Sequence, residues 1–326
     1  MTIPHSINRQ RGMTLVEVLI ATTIGIFLVG GAMSVFITAS NSQRVNDAVA
    51  QMQDNARYAL NTIAPDLRMA GYWGRTRIAG LITGHSGSAT PLPAASAPAN
   101  DCETSWFIDL PNMVDASNDT NPYDGTCLPA ADYMAETDVL VVRHAATDVA
   151  TLPLTDNQVY IRSDANIGAL FIPPATPAGT FSAFAENRRL VTHAYYIRPY
   201  SFAVGDGIPS LHRLALGVNA GGNTAILDEE VIPGIEDLQV QFGIDTDGDG
   251  SINQYVNPDS AALAGAEILA ARVWIMARTL NIETGFQDTA TYDYASKSVT
   301  PDAAAQRFRR LLISSTVRLR NMQVNP

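Results

Sequence analysis

Residues Arg9–Gly31 read RQRGMTLVEVLIATTIGIFLVGG, and the fold turns on how this stretch is used. From Met13 to Ala39 the only charged residue is Glu17. As helix, that run extends roughly 40 Å, enough to cross a hydrocarbon layer of about 30 Å with some tilt. A cleaved secretory signal has a shorter apolar stretch, followed by a small-residue cut site. Here the small residue, Gly12, precedes the run, and no processing site follows it. Arg9 and Arg11 stand before the run, and the next basic residue is Arg44, so the N-terminus is expected to stay cytoplasmic.

Beyond Ala39 the pattern becomes amphipathic. Val45, Val49, Met52, Ala56, Leu60, Ile63 and Leu67 recur at steps of three or four, with Asn46, Asp47, Gln51, Asp54, Asn55 and Arg57 between them. This predicts a helix continuing through the membrane segment to about Ala64, with one apolar stripe for a globular domain. Pro65 is expected to end or kink it.

Downstream, runs rich in β-branched and aromatic residues predict strands at 137–145, 158–162, 189–200, 210–217, 237–245, 271–279 and 309–321. Leu238, Val240 and Phe242 alternate with Gln239 and Gln241, as in a sheet with one buried face. EILAARVWIMARTL also fits a helical period. Residues 74–133 are loop-rich, and SGSATPLPAASAPAND within them reads as an exposed loop. The expected class is α+β: a long N-terminal helix packed on an antiparallel, strand-rich domain.

The chain has 326 residues, 46% apolar and 16% charged, with a net charge of −11. It is globular, and no basic cluster outside the N-terminus suggests a nucleic-acid partner. Cys102 and Cys127 lie in polar, turn-rich surroundings with no further zinc ligands nearby, so a disulfide is expected if the chain is exported. Histidines 85, 144, 193 and 212 form no recognisable catalytic spacing, and an enzymatic role has no supporting motif. Tyr72 and Trp73 read as packed residues. The arginines of RFRRLLISSTVRLR read as a solvated strand face or a contact with another subunit.

DTDGDGSIN, Asp245–Asn253, leaves two readings open. Asp245, Asp247 and Asp249, the Ser251 carbonyl and Asn253 match the first nine places of a helix–loop–helix Ca²⁺ loop, with Gly250 at the turn. The twelfth place holds Val256 where a bidentate glutamate belongs, and the flanks read as strands. The other reading is a solvated Asp/Gly turn between two strands.

RG-MTLVEVLIA resembles the class III signal of type IV pilins and type II secretion pseudopilins. The resemblance implies that a prepilin peptidase cuts after Gly12 and methylates the new N-terminus at Met13, where the family usually has Phe. Glu17, fifth in the mature chain, is then implied to pair with the N-terminus of a neighbouring subunit. The segments LRMAGYWG, VIPGIEDLQVQFGIDTDGDGSINQY, ARVWIMART and FRRLLISSTVRLRN resemble the PilW family of minor type IV pilins, and the second of these also resembles the pseudopilin GspJ. The implied organisation is a leader at 1–12, a transmembrane and assembly segment at 13–39, an amphipathic half-helix at 40–70, and a periplasmic β-rich domain at 71–326. The implied partners are other minor pilins, the major pilin, the prepilin peptidase and the inner-membrane assembly platform. The implied location is the inner membrane before assembly and the pilus afterwards.

Overall fold

A computed structural model describes residues 12–93 and 96–322. One α-helix, α1, runs from Leu15 to Met69. Contacts divide the chain into two compact units at Val49/Ala50, so the helix contributes to both. In the first unit its apolar side chains are bare; Phe27, for example, is 79% exposed. This suits a surface meant for lipid or for other helices.

In the second unit α1 buries Met52, Asn55, Ala56, Ala59, Ile63, Ala64 and Leu67. Met52, Ala56, Ile63 and Leu67 belong to the predicted stripe, whereas Leu60 is only half-buried and Ala59 beside it is buried instead; two further corrections follow. Asn55 was expected on the polar face, but it is buried, and its Nδ2 donates to the carbonyl of Pro233 at 2.9 Å. An amide is tolerated there because it is hydrogen-bonded. Pro65 does not stop the helix, which continues to Met69. Its missing N–H removes only one bond near the helix end, and Asn321 Nδ2 donates to the terminal carbonyls of Arg68 and Ala70 at 3.3 and 3.2 Å.

Among the described residues fourteen strands follow: β1 (Ile82–Thr83), β2 (Val114–Ser117), β3 (Val139–Ala145), β4 (Tyr160–Ser163), β5 (Gly168–Phe171), β6 (Glu186–Arg198), β7 (Ser210–Val218) and β8 (Thr224–Pro233) make one sheet. β9 (Ile235–Asp245), β10 (Gln254–Val256), β11 (Glu267–Arg278) and β14 (Arg310–Arg318) make a second, in the order β10-β9-β11-β14; β12 (Tyr292–Tyr294) and β13 (Lys297–Val299) pair as a ribbon. All pairings are antiparallel except the short β1–β5 contact. β6 is the spine of the large sheet: residues 186–189 pair with β4, 190–195 with β3, and 193–198 with β7. EILAARVWIMAR is strand β11, bonded along both edges to β9 and β14; two ladders outweigh its helical period.

β3 reads VLVVRHA and is buried at every position, not at alternate ones. Its sheet is covered on both faces. On one face, His144 of β3 and His193 and Tyr195 of β6 meet Asp66 of α1. On the other, Val139, Val141, Leu190, Ala194 and Tyr196 pack with Trp106, Phe107, Ile108, Leu110 and Leu128. The loop-rich segment 74–133 is thus the second cover of the sheet. Thr192 Oγ1 donates to the Phe107 carbonyl at 2.9 Å, joining this layer to the spine strand.

Cys102 and Cys127 form a disulfide within that layer, separated by 25 residues. The segment has little regular structure, so the cross-link restricts its unfolded chain. Cys102→Ser is expected to lower unfolding free energy by about 3.5 kcal/mol for a loop of 25 residues, read from denaturant midpoints of oxidised chains. An unchanged midpoint would mean that packing alone holds the layer.

Candidate functional site

The N-terminal signal begins at the edge of the described chain. Residues 1–11 of the expected leader, with Arg9 and Arg11, lie outside the described residues. Gly12 and Met13 are exposed and precede the helix. Glu17 lies in the first turn. Its Oε2 accepts from the Thr14 backbone N–H at 2.9 Å and from Thr14 Oγ1 at 3.0 Å, while its own N–H donates to Thr14 Oγ1 at 3.3 Å.

This is a capping box, in which the end residue and the one three places on satisfy each other's backbone groups. The spacing Thr14-x-x-Glu17 carried that signal, and the sequence reading passed over it. The box neutralises no charge, because both donors are neutral. Oε1 accepts no hydrogen bond among the described residues. Glu17 is therefore fixed in orientation, with one oxygen left for a cation.

In the second unit, Asp66 ties α1 to the large sheet. Its Oδ2 is 2.5 Å from both His193 Nδ1 and Tyr195 Oη, and its Oδ1 is 3.5 Å from His144 Nε2. Burial pushes the Asp66 carboxyl up, but the nearby His144 and the hydrogen bonds from His193 and Tyr195 outweigh it and hold the carboxyl well below the usual range. Burial pushes His193 down, against the pull of Asp66. His212 is likewise structural, with Nδ1 2.8 Å from Asp228. Each strand histidine thus has its Nδ1 bonded within the fold, but Nε2 of His144 and of His212 is buried without a hydrogen-bond partner, so these two are only half satisfied.

Both Asp66 and His193 resist protonation in the folded state, so the unfolded chain binds more protons as pH falls. Stability is expected to decline below about pH 6.5 through His193 and further below about pH 4 through Asp66. His193→Gln should flatten the upper part of that decline in Tm measured from pH 7.5 to 5. A Tm of the parent chain that rises on acidification would contradict this.

The acidic loop joins β9 to β10. One oxygen from each of Asp245, Asp247 and Asp249 falls within 4.8 Å of the others. Asp245 is buried; its Oδ1 accepts from the N–H groups of Asp247 and Gly248 at 3.1 and 2.7 Å, and its Oδ2 from Gly250 at 2.7 Å. Burial raises its pKa, but the N–H groups of Gly250, Gly248 and Asp247 hold it below the usual value. Gly248 and Gly250 take positive φ, as the tight turn requires. Asn253 clamps the loop: its Oδ1 accepts from Thr246 N–H at 2.7 Å, and its Nδ2 donates to Asp247 Oδ2 at 3.2 Å. Ser251 donates its N–H to Asp249 Oδ1 at 2.7 Å.

The C-terminal arginines are not uniformly solvated. The Arg310 side chain is only 4% exposed and pairs with Glu236, and with Asp288 at 3.2 Å; Arg309 pairs with Glu283 at 2.6 Å. The segment before β14 folds over these side chains, and local sequence carried no sign of it. Arg318 and Arg320 are exposed, as expected. Trp73 is fully buried and Tyr72 half-buried.

A bare apolar helix with a polar cap, running on into a β-rich domain, is a pilin-like α+β arrangement and supports membrane anchoring. Residues 7–33 match the family described as Prokaryotic N-terminal methylation motif, and residues 194–321 match Type IV Pilus-assembly protein W. The chain is also similar to the pilin-like protein PilA3 of Thermus thermophilus, 36% identical over 66 residues, which is 20% of this chain and 28% of that relative's length. No solved structure matches the chain. The C-terminal part of the chain is thus similar to the PilW family, and its N-terminus to the methylation signal found on pilins. The family match covers β7–β14 and the C-terminal end of β6 from Ala194, and leaves the sheet-covering layer at 74–133 outside it.

Proposed function

We propose that this chain is made as a prepilin, cut after Gly12 and methylated at Met13, then drawn from the inner membrane into a type IV pilus. Residues 13–39 serve first as anchor and then as assembly surface, with the β-rich domain on the periplasmic side. The partners are other minor pilins and the major pilin on the inner-membrane assembly platform. The complex primes the pilus, and the subunit remains near its tip. The observation that carries this reading is Glu17, held by Thr14 with Oε1 free, four residues from the amine that cleavage after Gly12 would create. An ammonium from a neighbouring subunit's Met13 would neutralise a carboxylate that lipid alone would leave costly.

Deleting the gene and scoring surface pili and protein secretion tests the reading. Lost pili with intact secretion is the expected result. Intact pili with lost secretion would instead make the chain a GspJ-like pseudopilin, which the resemblance of its central block also allows.

The acidic loop is proposed as a weak Ca²⁺ site formed by Asp245, Asp247 and Asp249 with the Ser251 carbonyl. Asn253 would join by exchanging Thr246 for the ion. Three carboxylates this close repel one another, and a cation would relieve that. Millimolar Ca²⁺ is expected to raise the Tm of the full chain, and Asp247→Asn to remove the rise. No rise in the parent chain would leave the loop a hydrogen-bonded turn.

A further inference from the structure

The layer formed by residues 74–133 leaves a half-open cavity of about 370 Å³ against β3, on the side of the sheet away from Asp66, with Arg143 and Tyr123 at its buried wall and Glu103 and Asp115 at its exposed rim. Arg143 lies in its lining, only 2% exposed. Its Nε donates to the Trp106 carbonyl at 3.1 Å and its Nη1 to the Asn112 carbonyl at 2.7 Å. Its guanidinium stands 5.3 Å from the centre of the Trp106 ring. Among the described residues Arg143 has no ion pair, and its Nη2 donates to no protein acceptor. A buried cation without a paired anion is uncommon, because burial penalises the charge.

A second donor lines the same space. Tyr123 is 4% exposed; its Oη accepts from Trp106 Nε1 at 2.9 Å, and among the described residues it donates to nothing. Burial pushes its pKa up to about 12, so it keeps its proton. Acceptors also line the cavity: Glu103, Asp109 and Asp115. Asp109 already accepts from Ser86 Oγ and Asn112 Nδ2, whereas Glu103 makes no side-chain hydrogen bond among the described residues and Asp115 uses only Oδ1, on the Ala116 N–H at 2.9 Å.

These groups select a ligand class. An anion would satisfy Arg143 but meet three carboxylates. A cation would meet the carboxylates but also the guanidinium. An apolar group would leave both free donors unpaired. A neutral polyhydroxylated molecule satisfies both sets, since each hydroxyl donates and accepts. A cavity of this size falls in the range of small-molecule sites and holds one or two sugar units. We propose that this cavity binds a neutral saccharide, its hydroxyls accepting from Arg143 and Tyr123 and donating to Glu103 and Asp115. The site belongs to the part of the chain outside the family match, so it adds a binding role to the assembly role and does not rest on it.

The test uses the full chain in a detergent without a sugar headgroup. Binding of glucose, galactose and N-acetylglucosamine is followed by ligand-observed NMR and by Trp fluorescence, beside cationic glucosamine and anionic glucuronate. At least one neutral sugar should bind saturably, and the charged sugars about tenfold more weakly or worse. Asp115→Asn and Tyr123→Phe should each weaken neutral binding about tenfold while leaving far-UV circular dichroism and pilus incorporation unchanged. These two are preferred to an Arg143 variant, which risks the fold. No binding of any neutral sugar at tens of millimolar overturns the proposal, as does tighter binding of either charged sugar. Neutral binding that both variants leave intact overturns it as well.

Discussion

A Glu17→Ala chain is expected to be cut after Gly12 at the parent rate and yet to fall in purified pili on the order of tenfold or more. Glu17 has two separable roles in this account. It caps its own helix through Thr14, and it offers Oε1 to a neighbouring N-terminus. Glu17→Gln distinguishes them. Glutamine keeps the capping box, since an amide oxygen also accepts from the Thr14 N–H. It lacks the charge that a subunit ammonium requires. If pairing governs assembly, Glu17→Gln fails as Glu17→Ala does. If capping governs it, Gln restores incorporation and Ala does not. Normal incorporation of both variants would leave Glu17 without an assembly role.

Replacing Gly12 by valine is expected to give a comparably large effect one step earlier. The precursor should accumulate uncut in the membrane, with residues 1–12 attached, and none should reach the pilus. The structure makes this a clean test. Gly12 is exposed, a Cβ built on it meets nothing within 4 Å, and its backbone is not in the positive-φ region. A side chain there should not disturb the chain's own fold, so lost processing would report on recognition by the peptidase. Processing of Gly12→Val at the parent rate, read by the size of the membrane-bound chain, would move the cut site elsewhere.

Much of the architecture was legible because it rests on local pattern. The uninterrupted apolar run from Met13 and the stripe through Met52, Ala56, Ile63 and Leu67 announce one helix with two environments. β3, β6, β7, β9 and β14 were marked by β-branched and aromatic runs. What was not legible depends on distant partners. Asp66 directly follows Pro65 and read as the residue where a helix fails, yet it bonds His193 and Tyr195, 127 and 129 residues away. β8 was missed because DEEV in its middle looks like a solvated loop; those acids sit on β8 opposite β7, where Glu229 pairs with Arg213 at 2.5 Å. The layer 74–133 looked like an insertion without structure. Its core of Trp106, Phe107 and Ile108 lies in a short irregular stretch with no period to detect, and its burial becomes visible only against β3 and β6.

The acidic loop was half legible. The three aspartates do come together as their spacing suggested, but Asn253 spends its oxygen on Thr246, which no spacing rule could show.

The central claim is that the apolar helix is retained after cleavage and becomes part of a filament. Mass spectrometry of pili sheared from cells expressing the untagged chain tests it most directly. A mature chain that begins at N-methylated Met13 and co-purifies with the major pilin is the expected result. Recovery of the chain only from the inner membrane, still carrying residues before Met13, would contradict it.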